Sequence, residues 1–105
     1  MPLARLKRKI TKENLWIYIL TLLKKKPMYG YEIRNKIKEK FGFNIGKISS
    51  YVVLYRLEKA GYVASKLDDK SGRARKYYII TKKGKSLLNE GIKFLENLLK
   101  KISNS

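Results

Sequence analysis

The apolar residues of this 105-residue chain keep one spacing, abandon it and then resume it, and that succession restricts the fold more than any single residue does. Up to Ala60 they recur every three or four positions, as on one face of an α-helix. Between Tyr62 and Ile80 the residues Tyr, Val and Ile crowd into two short runs, the composition of strands. From Thr81 the helical spacing returns and holds to Ile102.

Within the first helical stretch, residues 12–26 carry Leu15, Ile19, Leu22 and Leu23 on one stripe, flanked by Trp16 and Leu20. Thr11 can cap this helix, the lysines at its end suit the negative pole of the helix dipole, and Pro27 stops it. A second helix is predicted over residues 29–40, where Ile33, Ile37 and Phe41 repeat every four positions, Glu32 sits in the first turn and Gly42 closes. A third is predicted over residues 51–60, capped by Ser49 or Ser50 and ended by Gly61. Residues 62–67 and 75–80 read as a hairpin, with Asp68, Asp69, Lys70, Ser71, Gly72, Arg73 and Ala74 in its turn. Residues 1–10, with Pro2 and the cations Arg5, Lys7, Arg8 and Lys9, read as a flexible basic arm or an irregular first helix.

A chain of this length holds one core and buries a modest share of its surface, so a second copy covering more apolar area is expected. The 26 Lys and Arg against 8 Asp and Glu give a formal charge of +18. Self-repulsion on that scale opposes compaction, whereas a polyanion would release its counterions on binding. Nucleic acid is the favoured partner, ahead of a merely solvated basic surface or an anionic membrane. The basic stretch followed by Leu15 to Leu23 imitates a secretory leader, but Lys24, Lys25, Lys26 and Pro27 replace small cleavage-site residues and the run is too short to span a bilayer. The expectation is a cytoplasmic, nucleoid-associated protein without a membrane.

With no Cys and no His, the chain lacks thiolate and imidazole metal ligands, a Cys nucleophile and the commonest general base. No catalytic residue, metal or cofactor is assigned. Gly84-Lys85-Ser86 imitates the end of a phosphate-binding loop, yet its first glycine would fall on Ile79 and no strand-crossover unit surrounds it. Asp68 and Asp69 are ordinary turn residues without the surrounding oxygen ligands of a cation loop.

On a helical wheel, Ser50, Val53, Leu54, Leu57 and Ala60 of the third helix face the core. The opposite side carries Tyr51, Val52, Tyr55, Arg56 and Lys59, an aromatic and basic mixture suited to a DNA groove. Ser49 and Ser50 at the helix start can hold a phosphate. Lys70, Arg73, Arg75 and Lys76 cluster around the hairpin tip, close enough together to follow a phosphate backbone. The last helix, roughly 30 Å at about 1.5 Å per residue, is too long for so small a domain to cover. Leu88, Ile92, Leu95, Leu98, Leu99 and Ile102 are therefore dimer candidates, with Leu15, Trp16 and Ile19 as cross-subunit partners. Trp16 itself reads as packing rather than as the wall of a ligand pocket.

The resulting class is α+β, mainly helical, in the order α-α-α-β-β with a long C-terminal helix, which is the order of a winged helix-turn-helix. Residues 1–81 would form the DNA-binding part and residues 82–105 a dimerisation helix of the same compact unit. The runs Met28-Tyr29-Gly30-Tyr31-Glu32-Ile33, Tyr51 with Arg56-Leu57-Glu58-Lys59-Ala60-Gly61-Tyr62, Gly72-Arg73-Ala74-Arg75-Lys76-Tyr77-Tyr78 and Thr81-Lys82-Lys83-Gly84 resemble successive motifs of the PadR family, in family order. The resemblance implies a homodimeric transcriptional regulator, usually a repressor, with the third helix in the major groove of double-stranded DNA and the hairpin as a wing on the flanking backbone. A short C-terminal region is similar to the subgroup that dimerises through a single final helix. Where the family usually has Leu-Tyr-Pro, this chain has Ser50-Tyr51-Val52, so its base preference is expected to differ. A sequence-independent architectural DNA-binding protein is the alternative, and no small-molecule effector is assigned.

Overall fold

The computed structural model describes residues 1–68 and 75–105. Five helices and three short strands follow one another: α1 (Pro2–Ile10), a 3-10 turn (Lys12–Asn14), α2 (Leu15–Lys25), β1 (Met28–Tyr29), α3 (Gly30–Phe41), α4 (Lys47–Lys59), β2 (Val63–Asp68), β3 (Arg75–Ile80) and α5 (Lys82–Ser103). The strands form one antiparallel sheet in the order β1-β3-β2, with Met28 opposite Tyr78 and Val63 opposite Ile80. This is the mainly helical winged-helix class that the succession of periods predicts.

The core is built around α2, which packs against α3, α4, α5 and β3 at once. Its stripe of Leu15, Ile19, Leu20, Leu22 and Leu23 is buried together with Met28, Ile33, Ile37, Leu54, Leu57, Val63, Tyr78, Ile80 and Leu88. Each fully buried Leu or Ile contributes about 2 kcal/mol relative to exposure. Tyr18, at the edge of this core, meets Phe41 and Phe43 edge-on at 4.9 and 5.0 Å, and burial raises its phenol pKa.

One junction sets the direction of everything after α4. Gly61, at a φ of +84°, donates its N–H to the Glu58 carbonyl, and Tyr62 donates to the Leu57 carbonyl. These two bonds form a Schellman ending, which needs the left-handed backbone that glycine adopts at little cost. The same loop then receives the start of α5: the Thr81 hydroxyl donates to the Gly61 carbonyl at 2.6 Å while accepting from the Gly84 N–H at 3.1 Å, and the Lys83 ammonium donates to the Ala60 carbonyl at 2.7 Å. Gly84 lies so close that a β-carbon there would stand 2.1 Å from the Tyr62 carbonyl oxygen. The side chains of Thr81 and Lys83 thus tie the start of α5 to the backbone at the end of α4.

Four local expectations are corrected. Residues 1–10 form a regular helix, α1, whose first position is Pro2 and whose stripe of Leu3, Leu6 and Ile10 stays exposed. Thr11 caps no α-helix, because its hydroxyl turns back to the Lys7 carbonyl and a 3-10 turn separates it from α2. Helix α4 begins at Lys47, earlier than expected, because Gly46 is the extended N-cap. Ser50 therefore lies inside the first turn, its hydroxyl donating to the Lys47 carbonyl at 2.7 Å. The sheet gains a third strand, β1, since the extended backbone that follows Lys26 pairs with β3 before α3 starts. The α3 start is held by the Tyr29 N–H, which donates to the Glu32 carboxylate at 3.0 Å.

The wing is tied to neighbouring elements at two places along β2. Ser65 of β2 donates to the Glu58 carboxylate of α4 at 2.6 Å, and the Tyr29 hydroxyl donates to Asp68 at the far end of β2. That bond to Asp68 is the main cause that raises the Tyr29 phenol above its ordinary pKa of 10.0.

Three substitutions test these contacts through stability. Gly84→Ala should lower the unfolding free energy by on the order of 3 kcal/mol in urea denaturation, because the clash is with backbone, which cannot rotate away. Gly46→Ala, whose nearest neighbour would be 3.8 Å from the new β-carbon, should be tolerated. A phenol with a raised folded-state pKa lends stability that is complete below its unfolded pKa and lost as pH rises through the folded one. The stability gap between wild type and Tyr29→Phe should therefore close as the pH rises above about 10, and a gap that is constant across this range would show that the Tyr29–Asp68 bond has no such role.

Candidate nucleic-acid interface

Leu54 and Leu57 turn one side of α4 into the core, so the opposite side must face outward. That side presents Lys47, Ile48, Ser49, Tyr51, Val52, Tyr55 and Lys59, all exposed. Ile48 is 81% and Tyr55 61% accessible, unusual for apolar and aromatic side chains, and no element among the described residues covers them. Lys59 sits over the Tyr55 ring at 5.7 Å, a cation–π contact that braces both side chains toward solvent.

Beside this face a cleft of about 820 Å³ opens between the start of α3, α4 and β3. Tyr29, Gly30, Tyr31 and Arg34 line it from α3 and its cap, Lys47, Tyr51, Tyr55 and Glu58 from α4, and Arg75, Lys76 and Tyr78 from the wing. Gly30 decides its shape: a β-carbon there would lie 2.9 Å from the Tyr51 ring, so the absence of a side chain lets Tyr51 lie against α3. The Tyr29 and Tyr31 rings stack at 5.7 Å, and the Arg75 guanidinium lies over Tyr31 at 5.6 Å. Arg34 lies over Tyr51 at the same separation of 5.6 Å. Burial, then the nearby Glu58 carboxylate, raises the Tyr78 phenol above its ordinary pKa of 10.0. Arg34, Lys47 and Lys76 form no ion pair among the described residues. The cleft is accordingly a concave, aromatic-floored and positively charged surface, suited to an anion with planar or sugar-like flanks.

The predicted residues divide on this geometry. Ser49, Tyr51, Val52, Tyr55 and Lys59 lie on the open side of α4, with Arg75 and Lys76 close by across the cleft. Arg56 is exposed on another flank, beside Lys12, Glu13 and Trp16. Ser50 faces the core as the helical wheel has it, fully buried and bonded to its own helix, so its expected place as a phosphate-holding residue is corrected. Ala60, expected in the core, is the exposed C-cap. Lys70 and Arg73 lie outside the described residues. Tyr29, Tyr31, Arg34, Lys47 and Ile48 are additions to the face. The first three lie in or next to the Met28–Ile33 run, and the last two precede the helix start that the serines suggested.

The apolar candidates divide as well. Leu15, Ile19 and Leu88 are 3%, 0% and 1% exposed inside the chain's own core, which corrects their expected place on a surface between subunits. Ile92, Leu95, Leu98, Leu99 and Ile102 stay exposed along α5, joined by Phe94, and beyond Leu88 no α5 residue is buried. Trp16 is half-buried and lies on Gly91, where a β-carbon would come within 2.8 Å of its ring. No helix among the described residues is long and apolar enough to cross a membrane.

This arrangement can be set beside known proteins. Residues 19–90 match the family described as transcriptional regulator PadR-like. An uncharacterised protein of Lysinibacillus sphaericus is 39% identical over 87 residues, 80% of either chain. A crystal structure of a PadR family transcription regulator from Clostridium difficile is 35% identical, covers 85% of this chain and 93% of that one, and superposes with a TM-score of 0.72. A structure of Bacillus subtilis PadR in complex with operator DNA is 27% identical, with a TM-score of 0.69, over 74% of this chain and 45% of that one. The match runs from Ile19 within α2 to the start of α5 and so includes the cleft and the junction that orients it; the chain belongs to the PadR-like family of transcriptional regulators.

Proposed function

We propose that this chain is a DNA-binding transcriptional repressor that acts as a homodimer. The observation that carries the proposal is the open face of α4 continued by the cationic cleft, where Lys47, Arg34 and Lys76 have no carboxylate partner among the described residues. The Bacillus subtilis PadR complex with operator DNA supports the same ligand for this fold. Helix α4 enters the major groove and brings Ile48, Ser49, Val52, Tyr55 and Lys59 to base edges, where the apolar side chains meet thymine methyls and the polar ones hydrogen-bond. Arg75 and Lys76 track the flanking phosphates and fix register without reading sequence; Lys70 and Arg73, expected to act with them, lie outside the described residues. A protein so bound resides with the nucleoid, and it represses by occupying DNA that a polymerase needs.

Dimerisation is proposed through the exposed stripe Ile92, Leu95, Leu98, Leu99 and Ile102, with Trp16 at its margin. Residues 82–105 then serve assembly, and residues 1–81 serve DNA. Such a stripe is too apolar to leave in water along half a helix. A second copy would present a second α4, and two-fold symmetry turns into a palindromic site.

A second reading, sequence-independent architectural binding, is favoured by the spread of the +18 charge to places far from α4, such as Arg5, Lys7, Arg8 and Lys9. Selection of bound fragments from random DNA at two salt concentrations separates the two. Repressor function predicts an enriched palindrome with half-sites about 34 to 36 Å apart that persists at the higher salt; architectural binding predicts no enriched sequence and a steep uniform loss. Leu95→Glu should convert the dimer to monomer in sedimentation while leaving the helical signal unchanged, because Leu95 is 41% exposed within the single chain. A dimer that persists would exclude this seam.

A further inference from the structure

We infer that the cleft between α3, α4 and β3 seats one phosphodiester group of DNA, with the Arg34 guanidinium as its anchor. The inference rests on the DNA-binding reading and adds a residue that lies on neither the reading helix nor the wing. Its ground is an unsatisfied donor: Nη1 of Arg34 is buried and has no hydrogen-bond partner among the described residues. A buried donor on a cation is costly to leave unpaired, so the free protein carries a penalty that an arriving acceptor removes.

The surroundings hold this guanidinium ready. It lies 5.6 Å from the centroid of the Tyr51 ring, and that ring is itself seated on Gly30. A cation–π contact fixes the plane of the group without using its N–H donors, which leaves the unpaired Nη1 to a phosphate oxygen that draws it into the cleft. On the opposite wall Arg75 is held over Tyr31 in the same manner. Among the described residues the one carboxylate in the lining, Glu58, accepts from the Ser65 hydroxyl at 2.6 Å and forms no ion pair with Arg34. A strand whose bases meet α4 and whose backbone continues to the wing must pass a phosphate across this gap. Arg34 would therefore couple the two DNA-contacting elements through the ligand.

Arg34→Met tests this, because methionine keeps apolar contact with Tyr51 and removes both charge and donors. The expected result is a loss of affinity of about tenfold, similar on selected and random duplexes, with a salt slope smaller by about one. In the absence of DNA the melting temperature should stay the same or rise, since an uncompensated buried charge has been removed. Arg34→Lys should restore the salt slope but only part of the affinity, as it lacks the planar fork. Unchanged affinity and slope in Arg34→Met, with wild type binding DNA, would overturn the inference. So would a lowered melting temperature that Arg34→Lys restores together with full binding, which would make the role structural. Thermal shifts with inorganic phosphate form the second arm: stabilisation of wild type but not of Arg34→Met, with equal DNA binding by both, would assign the cleft to a free anion instead. If wild type binds no duplex at all, the DNA-binding reading falls along with this one.

Discussion

The structure depends on the junction at which the end of α4 meets the start of α5. Gly61 turns the chain out of α4, Thr81 bonds the Gly61 carbonyl while capping α5, and Gly84 lets the α5 backbone approach the Tyr62 carbonyl. From that point β2 and β3 leave in one direction and α5 in another. The pose of α4 relative to the wing, and the direction in which the exposed leucines of α5 project, are both set there. The Ala60-Gly61-Tyr62 and Thr81-Lys82-Lys83-Gly84 runs, separated by the wing in sequence, are two halves of this one contact.

The cleft shows the same economy on a smaller scale. Gly30 admits Tyr51, Tyr51 carries Arg34, and the Tyr29–Tyr31 pair carries Arg75 and reaches Asp68 at the far end of β2. Aromatic rings take the place that carboxylates would occupy in an ordinary surface network. An ion pair would have neutralised these cations; a ring face holds them and leaves their donors to a ligand. For a chain of net charge +18, this is how charge becomes localised recognition rather than a uniform attraction.

Much of this architecture was legible in the sequence, for identifiable reasons. The core of α2 and α3 was readable because Ile19, Leu23, Ile33 and Ile37 repeat at helical spacing, and the strands because Tyr, Val and Ile replace that spacing. What escaped has physical causes. β1 is two residues long and carries no period. The start of α4 was displaced because serine is a good cap, yet here Gly46 takes that position and Ser50 bonds back into its own turn. Periodicity says which side of a helix is apolar but not whether the same chain or another covers it, which is why Leu15, Ile19 and Leu88 read as subunit-surface candidates yet lie in the chain's own core. Arg34 and Tyr31 escaped because their importance arises from contact with Tyr51 and Arg75, which are far away in sequence.

The central claim is that the open face of α4 and the cleft beside it form the surface that meets DNA. Amide chemical shifts of isotope-labelled protein, followed as a duplex carrying the selected site is added, test it most directly. The account predicts that the largest changes fall on residues 47–59 of α4, on Tyr31 and Arg34, and on residues 75–78 of the wing. Changes concentrated in α1 and along the lysines of α5, with α4 unmoved, would contradict it.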